Sequence, residues 1–315
     1  MKLFLPDTTG ALAAAVVGAA CFGLGAARCA PAIRSGTALP RPPGAAESTT
    51  GPRLMPCDDA IPGSEALTAP LVLVGEIHGS AEIPAAFGNL VCHALRRRPR
   101  ETVLVGLEIF SSAQSAIDAF LASDGGGPAR AALLEHDFWR RAYQDGRSSG
   151  AMLALLDALR GYGVGGGTLA VRALDPPRFD SANDRDAAMA KTLSAAMEAL
   201  RPAQTLVLVG NVHSRTLEGY PWDAAATFVS LGARLRATHD ELTALDIKAA
   251  GGTVWICRSA DPKDCGVRDQ GATSIGGTLP RIELDRQPRP GSGYNGALVM
   301  GKLTASLPAR APATE

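Results

Sequence analysis

Four short, unbroken apolar runs constrain this chain most: Leu71–Val74, Val103–Val105, Thr168–Val171 and Leu206–Val209. Each is too short for a helix and lacks the polar alternation of a strand with one wet face. Each therefore suits a strand buried on both faces. Helical patterns lie between them. Met152, Leu155, Leu156 and Leu159 share one face of a helix that Ser148 or Ser149 can cap and that should stop at Gly161. Met189, Leu193, Met197 and Leu200 recur near i, i+4 after a capping Asn183, and Pro202 ends that helix. Strands alternating with helices predict an α/β fold with a mainly parallel central sheet flanked by helices. After Gly219 the pattern changes. Glu241–Ile247, Ala249–Gly252 and Thr253–Cys257 predict a C-terminal β-hairpin extension turning at Gly251-Gly252, and Ala297–Met300 a last strand.

The strand ends carry the chemistry. Three runs close on glycine and then on functional groups: Gly75-Glu76-Ile77-His78, Gly106-Leu107-Glu108 and Gly210-Asn211-Val212-His213. The first and third belong to near copies, LVLVGEIH and LVLVGNVH. Ligands of parallel sheets gather outside the carboxyl ends of the strands. In an extended segment residues i and i+2 share a face, so Glu76 and His78 should point the same way, as should Asn211 and His213. Glu76, His78, Glu108 and His213 are thus the candidate catalytic residues. Imidazole and carboxylate suit a divalent metal ion, with Glu76, His78 and His213 as candidate ligands and Glu108 as ligand or general base. Without metal the same groups supply an acid and a base. Taken singly, Glu108 can equally be a buried partner for Arg172 or Arg185.

Other polar residues rank lower. His93 lies among apolar residues of a helix and reads as structural; His136 and His239 read as surface residues. Trp139, Tyr143, Gln144, Asp145 and Arg147 form a segment that either covers the crevice or simply packs. Arg172, Asp175, Arg185 and Asp186 are candidate supports behind the site. Ser80 has no G-x-S-x-G elbow around it, and no Walker A or G-x-G-x-x-G pattern follows a strand. Gly163–Gly167 reads as a flexible connector.

Lys plus Arg equals Asp plus Glu at 31 each, so the basic excess of a nucleic-acid binder is missing. Hydrophobic residues at 46% and charged residues at 20% are ordinary for a globular protein. The apolar stretch from Ala11 to about Ala27, then Ala30-Pro31-Ala32, reads as a signal peptide over residues 1–32 and predicts an exported protein, periplasmic, envelope-bound or secreted. Cys21 and Cys29 fit a lipid anchor poorly, so membrane association is expected only through an uncertain anchor. Residues 33–66, rich in Pro, Gly, Ser and Thr, read as a disordered linker, residues 67–308 as one domain, and 309–315 as a disordered tail. Cys257 and Cys265 bracket a short polar loop. That spacing suits a local disulfide in an oxidising compartment and is also compatible with two free thiols.

With these residues in view, the chain resembles the ChaN-like proteins, within a wider group holding the TraB/Tiki and erythromycin-esterase-like proteins. LVLVGEIHGS, VGLEIF, Arg185-Asp186-x-x-Met189-Ala190, LVLVGNVHSR and GYNGALVMGKLTAS carry the resemblance, which runs from Leu71 to Leu307. It implies an exported α/β protein. From the ChaN side it implies haem binding and a role in iron uptake. From the Tiki side it implies metal-dependent peptidase activity, and from the esterase-like side hydrolysis with a histidine base. The positions matching the latter two are Glu76, His78, Glu108 and His213. No haem-ligating Tyr or His is matched. The expected partners are therefore haem, or a small-molecule or peptide substrate.

Overall fold

The computed structural model describes residues 57–164, 168–273, 277–285 and 291–310, all within one compact unit, Thr49–Glu315. The expected signal peptide, the linker up to residue 56, Gly165–Gly167 of the connector and residues 311–315 lie outside the described residues.

The strands are β1 (Leu71–Glu76), β2 (Val103–Phe110), β3 (Leu169–Asp175), β4 (Gln204–Gly210), β5 (Leu242–Cys257), β6 (Cys265–Ala272), β7 (Arg281–Leu284) and β8 (Gly296–Met300). The helices are α1 (Glu82–Arg97), α2 (Gln114–Leu121), α3 (Gly127–Leu134), α4 (Asp137–Arg140), α5 (Gly150–Val164), α6 (Ala182–Leu200), α7 (Asn211–Ser214) and α8 (Leu231–Arg236). The sheet runs β3-β2-β4-β1-β5-β8-β7, with β6 paired to β5. Its first five strands and β8 are parallel; β7 and β6 run antiparallel to β8 and β5.

The unbroken apolar runs have a direct cause. Val72 and Val74 of β1, with Leu206 and Leu208 of β4, point into a core shared with Phe87 and Leu90 of α1, Ile117 of α2 and Leu156 of α5. Leu71, Leu73, Val207 and Val209 point to the opposite face, against Met189 and Leu193 of α6 and Leu231 of α8. Period-two alternation therefore persists, but both faces are dry and no polar residue marks it. Each fully buried Leu or Val contributes about 1.5–3 kcal/mol of transfer free energy.

The echoing segments lie side by side as β1 and β4, Leu71 opposite Thr205 and Glu76 opposite Gly210. Helix α6 is capped by Ser181, whose Oγ accepts from the Asp184 N–H at 3.1 Å. Asn183 instead bridges to the loop before α8: it donates to the Thr227 carbonyl and accepts from the Val229 N–H.

Three expectations change. Residues 57–66, read as linker, are bound to α1. Cys57 and Cys92 form a disulfide, Asn89 donates to the Asp59 carbonyl, His93 Nε2 meets the Asp58 carbonyl at 2.9 Å, and Ile61 is buried. Ala309 and Arg310, read as tail, bond to the Ser148 carbonyl and to Glu135. The hairpin does not turn at Gly251-Gly252. β5 continues through those glycines, both at positive φ, where the chain at Leu303 packs on them; a Cβ on Gly252 would stand 2.1 Å from the Leu303 carbonyl oxygen. The reversal comes after Cys257, which pairs with Cys265 in a second disulfide. Two disulfides fit an oxidising compartment. Among the described residues no helix is long and apolar enough to cross a membrane.

Candidate functional site

Because β1, β2, β3 and β4 are parallel, their carboxyl ends open on one edge, and the predicted residues meet there. Glu108 lies at the centre, 1% exposed. Its Oε2 accepts from the Gly210 N–H at 2.7 Å and lies 3.4 Å from His78 Nε2. Its Oε1 accepts from Arg185 Nη2 at 2.6 Å and lies 3.8 Å from His213 Nε2. Gly210 forms the floor: a Cβ there would stand 2.9 Å from His78 Nε2 and 3.5 Å from both Glu108 Oε2 and His213 Cδ2. The glycine repeated in both strand ends thus serves two purposes. At Gly75 it makes room for Asn211, whose Oδ1 would lie 1.8 Å from an added Cβ.

Each imidazole has a carboxylate behind it. His78 Nδ1 meets Glu76 Oε2 at 3.0 Å, and His213 Nδ1 meets both oxygens of Asp186 at 2.9 Å. Asp186 is fully buried and also accepts from the Leu231 N–H at 2.6 Å. His213 does not arrive on an extended strand end as expected. Residues Asn211–Ser214 turn into the short helix α7, so Asn211 and His213 diverge. Asn211 donates to Asp246 Oδ1 at 2.9 Å, while His213 faces Asp186.

The two rings differ in their partners. Burial alone would lower the His78 pKa, but the facing Glu108 and Glu76 carboxylates outweigh it and push it from 6.5 up to about 10. His78 is an imidazolium at neutral pH, with a carboxylate on each ring nitrogen. His213 Nε2 lies 2.9 Å from Arg185 Nη1. A guanidinium can only donate, so that nitrogen accepts, and the proton on Nδ1 points at Asp186. Burial would raise the Glu108 pKa, but His78 foremost, then His213 and Arg185, hold it well below the usual carboxylate range.

Two arginines complete the cluster. Arg185 Nε and Nη2 bind Asp175 at 2.7 and 2.9 Å. Arg147 reaches Asp175, lies 3.4 Å from Glu108 Oε1, and is clamped by Asp145 through its Nε and Nη2. Despite burial, these carboxylates raise the pKa of both guanidinia. The segment holding Trp139 to Arg147 therefore divides. Trp139 and Gln144 are packing residues, fully buried, while Asp145 and Arg147 belong to the site. Of the four supports, Asp175, Arg185 and Asp186 are in the cluster. Arg172 is not; it lines a cavity of about 350 Å³ beside Asp118 and Arg160. Sequence reasoning placed Arg147 only in a segment, because no motif marks an arginine delivered by a loop. Ser80 is buried, beside Ala305.

The donor set does not fit the expected metal site. Glu76 sits on Nδ1 of His78, across the ring from the Nε2 that faces Glu108, and His213 Nε2 is taken by Arg185. The three expected ligands do not converge, and among the described residues no group of three or more His, Cys, Asp or Glu is arranged to hold an ion. Haem iron needs an axial nitrogen with its lone pair free toward an apolar slot. Neither Nε2 is presented that way, since one faces a carboxylate and the other a guanidinium.

No protein-family model matches the sequence, and no curated protein matches it. Solved structures do share the fold. One is a variant of the erythromycin esterase EreC in its open conformation, at 13% identity over 77% of this chain and 94% of that one, TM-score 0.58. Another is a succinoglycan biosynthesis protein, at 9% identity over 76% and 90%, TM-score 0.54. A third is a Bacillus cereus protein, at 12% identity over 77% and 91%, TM-score 0.52. The α/β architecture, with its mostly parallel central sheet, is shared with these structures. At these identities the likeness is one of fold.

Proposed function

We propose that this chain is an exported hydrolase of ester bonds that works with two imidazoles in opposite protonation states. The observation that carries the reading is the hydrogen-bonding of those rings. His78 is charged between two carboxylates, and His213 holds an acceptor nitrogen at Nε2 with Asp186 behind it. A ring charged between carboxylates can act as the acid, and a ring with an acceptor nitrogen as the base. Water attacks the acyl carbon and its proton passes to His213 Nε2. Asp186 stabilises the imidazolium that forms. The acyl C–O bond breaks, and His78 Nε2 gives its proton to the departing alkoxide. Ester and water become acid and alcohol. Solvent returns the proton from His213 to His78. Arg185, as it leaves Nε2, turns its N–H groups toward the developing oxyanion. A fold that also carries an erythromycin esterase supports the assignment. The signal-like N-terminus and the two disulfides support export.

The test is the hydrolysis of p-nitrophenyl acetate by the purified protein, with and without a chelator. We expect turnover that survives chelation and falls about 10²–10⁴-fold in His213→Ala. A wild-type protein without esterase turnover, or one silenced by the chelator, overturns the reading.

A further inference from the structure

Next to His213 a row of stacked rings leads out to solvent. Phe228, nearly buried, meets the His213 ring edge-on, with centroids 6.5 Å apart. Tyr220 lies flat on Phe228 at 4.4 Å and 5°. Trp222 lies flat on the other face of Tyr220 at 5.1 Å and 6°. Trp222 is 73% exposed, the most exposed of the large hydrophobic side chains in the described residues. One indole face is covered by Tyr220, and the other is presented to water.

This row is held in place. Arg215, 4% exposed, donates to the carbonyls of Leu217, Glu218 and Gly219 on one side and to those of Gly291 and Ser292 on the other. Tyr220 and Asp223 exchange backbone hydrogen bonds across the turn that carries Trp222. Asn183 ties Thr227 and Val229, either side of Phe228, to α6. An aromatic face fixed before a ligand arrives binds at low entropic cost.

We propose that Trp222, backed by Tyr220 and Phe228, forms a carbohydrate subsite with its open indole face, so that the ester cleaved beside His213 is an acyl group on an oligosaccharide. The proposal rests on the hydrolase reading and gives its substrate class. A flat, open indole face attracts the C–H face of a saturated ring, while the hydroxyls around that ring need acceptors. Glu218 and Asp223, exposed carboxylates on the same loop as Trp222, are acceptors of that kind, Asp223 also holding the Ala225 N–H through Oδ1. An aromatic ligand would leave those carboxylates unused. Three ring contacts separate Trp222 from His213, so the sugar spans more than one ring.

Two measurements test this. Iodide quenching of tryptophan fluorescence reports Trp222, since Trp139 is fully buried and the half-buried Trp255 is bonded to the Gln144 carbonyl. Unacylated xylo-, gluco- and galacto-oligosaccharides are added to the wild type and to His213→Ala. We expect at least one to protect against quenching in both proteins. In parallel, kcat/KM on an acetylated xylo-oligosaccharide, taken as a ratio to that on p-nitrophenyl acetate, should fall at least tenfold in Trp222→Ala. Protection without any ester turnover leaves the subsite standing and removes the hydrolase reading. Esterase turnover with no protection by any sugar and an unchanged ratio overturns the subsite. Protection by tetramethylammonium alone also overturns it, in favour of a cationic ligand.

Discussion

The carboxyl ends of β1 and β4 begin alike and finish differently. Both read Leu-Val-Leu-Val-Gly, both lie in the sheet as neighbours, and both deliver a histidine three residues after the glycine. At β1 the next residue is Glu76, which stays in the strand and turns its carboxylate onto the ring that follows. At β4 it is Asn211, which starts a helical turn and reaches sideways to Asp246. His213 then takes its carboxylate, Asp186, from α6. One histidine is thus held by its own strand end and the other by a distant helix. The consequence is chemical: one ring sits between two carboxylates and stays charged, while the other shares its outer nitrogen with Arg185.

Glu108 joins the two halves, and its removal should have the largest effect. Glu108→Gln leaves Arg185, Arg147 and His78 facing an uncharged amide, and the loss of one partner of a buried ion cluster costs about 3–5 kcal/mol. The urea midpoint should drop accordingly. A drop no larger than that of an exposed control would mean that the two halves are held together by packing alone.

Much of this was legible beforehand, for a physical reason. Strands buried on both faces leave long apolar runs, and functional groups at their carboxyl ends stand out against them. Glu76, His78, Glu108 and His213 could therefore be singled out, and they lie together in the fold. The pairing of Glu108 with Arg185, offered as the plainer explanation of that glutamate, turned out to coexist with the cluster. What stayed hidden depends on tertiary delivery. Arg147 arrives on a loop. The rings of Tyr220, Trp222 and Phe228 stack only once Arg215 and Asn183 have folded the segment. Helix α7 hides behind a copy of a sequence that is extended at β1, and it moved Asn211 away from His213.

The pH dependence sharpens the comparison next, at about 1 kcal/mol per pH unit. Glu108 and Glu76 face His78 and, against burial, raise its pKa in the fold from 6.5 to about 10. A raised pKa means that the folded state holds the proton more tightly than the unfolded one. The stabilisation is fully present below pH 6.5 and is lost as pH rises through about 10. Denaturation midpoints across that window should fall for the wild type and stay flatter for His78→Gln. Parallel slopes would show that the charge on His78 contributes nothing to the difference between the two rings.

The two glycines give the finest comparison, because the same substitution should do opposite things. In Gly75→Ala the new methyl stands 1.8 Å from Asn211 Oδ1 and 3.1 Å from the Leu245 carbonyl oxygen. Asn211 must swing away from Asp246, and the Leu245 backbone cannot yield, so overpacking should cost about 1–3 kcal/mol of stability. In Gly210→Ala the nearest atoms are the ends of His78, Glu108 and His213. Those side chains can give by a few tenths of an ångström, and stability should fall by less than about 1 kcal/mol on the same scale. On the proposed ester hydrolysis, however, the displaced atoms belong to the acid and the base. A misplacement approaching 1 Å costs on the order of 10²-fold in rate, so esterase turnover should fall at least tenfold. Melting curves and kcat/KM on both variants decide it. A Gly210→Ala protein that keeps full activity would show that the rings over that glycine are supports rather than acid and base, whereas a stable Gly75→Ala would show that Asn211 has room the packing does not suggest.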